Sequence, residues 1–139
     1  MVLAHLGCTV TALEQVPALC ALLELAIHDL GAQIEVIKTD SITWLGTLTP
    51  DRAPDVIYLD PMFAEPGKSQ VKKEMQACRI LTGEAPEDQK SLEADLLRVA
   101  RATARDRVVV KRHPHSSPIA DDISHSVGEG RVRFDVYLT

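Results

Sequence analysis

Apolar positions along this chain fall into two alternating kinds of run. Short β-prone runs at Cys8-Thr9-Val10-Thr11-Ala12-Leu13, Ile34-Glu35-Val36-Ile37-Lys38, Asp55-Val56-Ile57-Tyr58-Leu59 and Arg107-Val108-Val109-Val110 predict buried strands. Helical segments lie between them. Pro17 stands where a first helical turn tolerates proline, and Ala18 to Leu30 is almost continuously apolar until Gly31 stops it. Leu19, Leu22, Leu23, Ala26 and Ile27 are the expected core of that helix. Ile42 to Leu48 predicts one or two helical turns, and Pro50 to Pro54 predicts a turn. Ser69 to Leu81 has helix-forming composition, and Ser91 to Ala104 places Leu92, Leu96, Val99 and Ala100 between charges. Met1 to Gly7 reads as the tail of a helix reaching a glycine stop. The C-terminus reads as a hairpin: Ile123 to Val127, a turn at Gly128-Glu129-Gly130, and Arg131 to Leu138. Strands alternating with helices and closing in a hairpin predict an α/β fold, a mostly parallel, doubly wound sheet with an antiparallel edge, in a single domain over residues 1–139.

Composition narrows the class. With 45% hydrophobic and 25% charged residues in 139, the chain is an ordinary globular protein rather than a disordered or fibrous one. A net charge of −5 argues against a generally basic nucleic-acid coat but leaves room for a local basic face. Cys8, Cys20 and Cys78 are odd in number and lack C-x-x-C spacing, so reduced thiols are expected. No run approaches the ~20 apolar residues that span a bilayer, and the first residues lack a charged n-region and an h-region. A cytoplasmic protein without membrane contact is the expectation. His113, His115 and His125 have no cysteine or acid to complete a ligand set, and no metal site is expected.

The candidate chemistry centres on Asp60-Pro61-Met62-Phe63, directly after Val56 to Leu59. A parallel strand ending this way presents a carboxylate, a backbone carbonyl and a flat ring at the strand's carboxyl edge, where open α/β sheets bind ligands. Together these suit an exocyclic amine on a nucleobase: the oxygens accept its N–H bonds while the ring stacks on the base. An aspartyl-phosphate reading would want a second aspartate at position 62, and no P-loop exists for a Walker-B reading. A strand-ending turn remains the plain alternative. Glu14, Asp40 and Asp60 follow three successive predicted strands, so a parallel sheet would set them along one edge. Glu14 is placed for the hydroxyls of a ribose, and Asp40 with Ser41 for the edge of an adenine. Each acid alone reads equally well as a helix-cap or turn carboxylate. Lys68, Lys72 and Lys73, with Arg79, and then Lys111-Arg112-His113 after the next strand, could clamp phosphates or could form solvated faces. A nucleotide-binding α/β domain normally opens with a strand and a glycine-rich turn. None precedes Gly7, so either this architecture does without that loop or the chain starts late.

In order, Glu14, Asp40-Ser41, Tyr58-Leu59-Asp60-Pro61-Met62-Phe63, Val71-Lys72-Lys73-Glu74-Met75, Val108-Val109-Val110-Lys111-Arg112 and Arg133-Phe134-Asp135-Val136-Tyr137 resemble the RsmJ-type methyltransferases. The resemblance runs from Met1 to near Thr139, and the blocks at 58–63 and 71–75 are its most specific parts. It implies a Rossmann-like class I fold and S-adenosylmethionine-dependent methylation of a guanine exocyclic amine (N2) in 16S ribosomal RNA. It implies Glu14 and Gln15 at the cofactor's ribose and Asp40 and Ser41 near its adenine. It implies that Asp60 touches the cofactor and opens the catalytic motif, in which Pro61 and Phe63 are the expected further members. Among the basic residues, Lys68, Lys72, Lys73, Lys111 and Arg112 are the candidate RNA contacts. Ala64 departs from the family's second proline, and His113 separates Lys111-Arg112 from Pro114. Family members carry a first strand and a glycine-rich loop before the segment matching Met1. An N-terminally truncated copy that alone binds the cofactor poorly is therefore expected, and micromolar binding of S-adenosylhomocysteine would contradict it. Two rivals stay open: a methyltransferase acting on DNA or another amine, and a non-catalytic α/β remnant or RNA-binding fragment.

Overall fold

A computed structural model of the chain describes residues 2–61, 88–128 and 130–139. The chain divides into two compact units, residues 2–44 among the described ones forming the first and residues 45–61, 88–128 and 130–139 the second.

The first unit opens with a short helix, α1 (Val2–His5), and continues through β1 (Val10–Glu14), α2 (Pro17–Asp29), β2 (Ile34–Lys38) and into α3 (Ser41–Leu45). β1 and β2 pair in parallel from Val10↔Ile34 to Glu14↔Lys38. Parallel neighbours need a crossover, and α2 supplies it. Gly31 ends α2 with φ of 59°, a left-handed conformation that costs glycine nothing. The Gly31 amide bonds the His28 carbonyl at 3.1 Å and the Ala32 amide bonds Ile27 at 3.1 Å, which is the Schellman pairing. Gly7, with φ of 89°, ends α1 the same way. Of the expected α2 core, Leu19, Leu23, Ala26 and Ile27 are half-buried and Leu22 is 57% exposed, while the buried residue of the helix is Cys20, and Leu25 is 62% exposed. At 100° per residue Leu22 and Leu25 turn away from the face that Cys20 shares with Leu23 and Ile27.

The second unit begins with a 3-10 turn at Pro50–Arg52, then β3 (Val56–Leu59), α4 (Gln89–Thr103), β4 (Arg107–Arg112), β5 (His125–Val127) and β6 (Arg133–Leu138). Its sheet has the order β3-β4-β6-β5. β3 and β4 are parallel, and the expected C-terminal hairpin forms as β5 antiparallel to β6. α4 lies against the face built by Ile57, Leu59, Val108, Val110 and Tyr137, all at most 9% exposed. Burying each valine is worth roughly 1.5–3 kcal/mol. The helix's buried stripe is Leu97, Ala100 and, just past its end, Ala104. Leu92, placed in the core by its spacing, is 48% exposed.

Two expectations are corrected here. β3 is not buried on both faces, since Val56 is 41% and Tyr58 47% exposed while Ile57 and Leu59 are buried. Lys111 and Arg112 do not follow β4 but belong to it, paired with Phe134 and Arg133. The antiparallel partner β6 carries the ladder two residues past the last parallel pair, Leu59↔Val110. The predicted helix at Ser69 to Leu81 lies outside the described residues.

Candidate functional site

In the first unit, Glu14 and Asp40 stand at the carboxyl edge of the β1–β2 pair. Glu14 is the last residue of β1, and its carbonyl accepts the Thr39 amide at 3.0 Å and the Cys20 thiol at 3.2 Å. Its carboxylate accepts the Val16 amide at 2.8 Å, tying the turn that leads into α2. Asp40 does the same for α3: its Oδ2 accepts the Thr43 amide at 2.8 Å, three residues on, as an N-cap does. Both acids are thus held by their own backbone through one carboxylate oxygen each. Gln15 is exposed and Ser41 half-buried beside them.

In the second unit, Asp60 lies one residue past β3, followed by Pro61. A residue before proline is confined to extended backbone, so Pro61 restricts Asp60. The Asp60 carboxylate does not stand alone: Lys111 Nζ donates to Oδ2 at 2.8 Å. Tyr58 lies on the same face of β3 two residues earlier, its ring 6.4 Å from that of Phe134. The hydrogen bond to Asp60 raises the Lys111 pKa above the ordinary lysine value against the opposing effect of burial. Burial, then the negative charge of Asp60, raises that of Tyr58.

Strand parity separates the two basic residues expected to work together. Lys111 points to the face of Asp60. Arg112 points to the opposite, helix-covered face, where it donates to Glu93 at 2.8 Å and to the Ser117 carbonyl at 2.7 Å, with its side chain 10% exposed. Arg112 is therefore an interior ion-pair partner, its guanidinium turned to the covered face. Phe63, Lys68, Lys72 and Lys73 lie outside the described residues. What sequence reading missed is the Tyr58–Asp60–Lys111 cluster. Its signal was present, since 58 and 60 share strand parity, but the partner strand's register was not visible in it.

A family model described as "Putative SAM-dependent methyltransferase" matches residues 1–139. The ribosomal RNA small subunit methyltransferase J of Alkalilimnicola ehrlichii is 42% identical over 149 residues, covering 99% of this chain and 55% of that protein. The protein of the same name from Thioalkalivibrio sulfidiphilus is 41% identical, covering 99% of this chain and 56% of that one. The chain thus spans little more than half the length of the curated relatives it matches. Among solved structures, a SAM-dependent methyltransferase from Neisseria gonorrhoeae superposes with a TM-score of 0.70 at 34% identity, covering 99% of this chain and 58% of that one. These likenesses bear out the expected Rossmann-like α/β fold with its parallel strands and antiparallel hairpin. The chain belongs to the SAM-dependent methyltransferase family.

Proposed function

We propose that this chain works in S-adenosylmethionine-dependent methylation of the exocyclic N2 amine of a guanine in 16S ribosomal RNA, in the cytoplasm. The observation that carries the reading is the Asp60-Pro61 step at the carboxyl end of a parallel strand, its carboxylate held by Lys111 at 2.8 Å, in a chain matching the family along its whole length. Among the described residues no helix is long and apolar enough to cross a membrane.

The residues fit the cofactor's chemistry. A nucleoside presents hydroxyls and an amine, all donors, and the β1–β2 edge presents acceptors. Glu14 and Gln15 would take the ribose hydroxyls; Asp40 and Ser41 would take the adenine edge. Bound there, the cofactor supplies an electrophilic methyl group on a sulfonium. The chain's own task is to prepare a weak nucleophile, because the guanine amine's lone pair is delocalised into the ring. Asp60 accepts one amine hydrogen and the Pro61 carbonyl the other, drawing nitrogen toward tetrahedral geometry and fixing its line of approach. Phe63 serves as the stacking platform, and Lys68, Lys72 and Lys73 as phosphate contacts. The family resemblance of the Asp60-Pro61 motif would give Asp60 a cofactor contact as well.

The test is genetic and chemical. Asp60→Ala is introduced at the chromosomal locus, and 16S RNA digests are read by mass spectrometry for N2-methylguanosine. Loss of that nucleoside with normal protein abundance is expected. Its persistence in the Ala variant removes Asp60 from the reaction. Its persistence after deletion of the whole gene leaves the chain a non-catalytic role.

A further inference from the structure

Lys111 is the described cation closest to the proposed acceptor, and its setting is more rigid than an RNA-contacting side chain needs. Its backbone is locked in the β4–β6 ladder opposite Phe134, next to the fully buried Val110, and its ammonium crosses to Asp60 Oδ2 at 2.8 Å. The lysine side chain is 33% exposed and the aspartate's 47%. Asp60 has backbone freedom only as far as Pro61 allows. A carboxylate on a two-bond side chain still rotates among several positions, and a single firm contact to one oxygen stops that rotation. Among the described residues no donor reaches Oδ1.

From this we infer that Lys111 is a positioning residue: by holding Oδ2 it fixes the Asp60 carboxylate in one rotamer with Oδ1 presented to the incoming amine. The inference rests on the proposed function and deepens it. Lys111 touches neither amine nor cofactor and acts only through Asp60. It also keeps a compensating positive charge beside the carboxylate. Among the described residues, the titratable group acting on this pair besides the partners themselves is Tyr58 on β3, and β6 places the apolar Phe134 opposite Lys111. With Lys111 as ammonium, and its pKa raised by the same hydrogen bond, the pair persists through the neutral range.

The competing role, a phosphate contact, predicts different measurements. Lys111→Met and Lys111→Arg are compared with wild type in steady-state methyl transfer to unmodified 16S RNA and in salt-dependent RNA binding. Positioning predicts that Lys111→Met lowers kcat by about one to two orders of magnitude, since small misplacement is costly. The KM for RNA stays within about twofold, and Lys111→Arg, which keeps a donor and a charge, recovers most of the rate. A phosphate contact predicts unchanged kcat, a raised KM and a salt slope shallower by about one. That outcome overturns the inference. Independently of turnover, the Lys111 side chain is titrated by NMR in wild type and in Asp60→Asn. The ammonium should lose its proton at lower pH in the variant, and an identical titration means no pair and sinks the proposal. A wild-type protein without methyl transfer to RNA refutes the functional reading itself and takes this inference with it, whereas turnover that survives Lys111→Met refutes the inference alone.

Discussion

Removing Arg133 should unfold the second unit's antiparallel edge. Asp135 on β6 is fully buried, and its carboxylate is gripped on both oxygens by one guanidinium: Arg133 Nε to Oδ1 at 2.8 Å and Nη2 to Oδ2 at 2.9 Å. Ser126 of β5 adds a hydroxyl donor at 2.7 Å. The same guanidinium donates to the carbonyls of Pro114 and Ser116, both at 2.9 Å, so it ties the segment after β4 to the sheet. Arg133→Met keeps the aliphatic stem but leaves Asp135 with a single hydroxyl donor in the interior. Breaking a buried pair by removing one partner costs about 3–5 kcal/mol, a large share of the ~5–15 kcal/mol that holds a domain together. Replacing both partners, Arg133→Met with Asp135→Leu, removes the uncompensated charge along with its counter-charge. It should cost clearly less than the single change, because an apolar pair is often neutral there. Urea unfolding by far-UV circular dichroism measures the free energies, and amide hydrogen exchange at Val136 and Tyr137 localises the loss to β6. A cost below about 1 kcal/mol for Arg133→Met, or a double variant as unstable as the single one, would refute the reasoning.

Asp40→Ala should lose the α3 cap and about 1 kcal/mol, while Asp40→Asn keeps it within a few tenths; calorimetric melting separates them, and equal losses would deny the cap. Leu97→Ala, at a position 2% exposed, should cost about 2–5 kcal/mol, and Leu92→Ala, at 48% exposed, less than about 0.5 kcal/mol, both by urea titration. Lys111 and Tyr58 have folded pKa values raised above their ordinary ones, so each contributes stability that is complete below the unfolded value and is lost as pH rises through the folded one. Urea midpoints should therefore fall above the ordinary lysine range, and less steeply in Asp60→Asn, which removes the main cause of the Lys111 shift.

The strands and helices were legible because apolar runs and glycine stops are local signals. β2 matches its expected bounds, α2 begins at Pro17, and Gly31 ends it. The site was legible in part for the same reason: Glu14, Asp40 and Asp60 each end or follow a parallel strand, as their sequence positions require. The failures have one physical origin. Pattern reading sends charges outward, and this fold pairs several of them inward. Glu93 heads the α4 stripe that continues through Leu97, Ala100 and Ala104, so a stripe drawn through apolar residues alone selects Leu92 and Leu96 and comes out rotated. Arg112 meets Glu93 from the sheet.

What decided the fate of Lys111 and Arg112 lies more than twenty residues away, in Phe134 and Arg133 of β6. Once that strand extends the ladder, the two-residue period of a strand sends adjacent residues to opposite faces. A dibasic pair that looks like one phosphate clamp in sequence must then split. One member serves the covered face and the other the face of Asp60. The division follows from the pleat of β4: Val108 and Val110 lie on the covered face, so Arg112 joins them and Lys111 turns to the other. Were the two residues exchanged in the sequence, the guanidinium would stand beside Asp60, and one compact ammonium in place of a five-donor fork would have to satisfy Glu93 and the Ser117 carbonyl in the interior. The observed order places the fork where two acceptors converge and the point charge where one carboxylate oxygen needs holding.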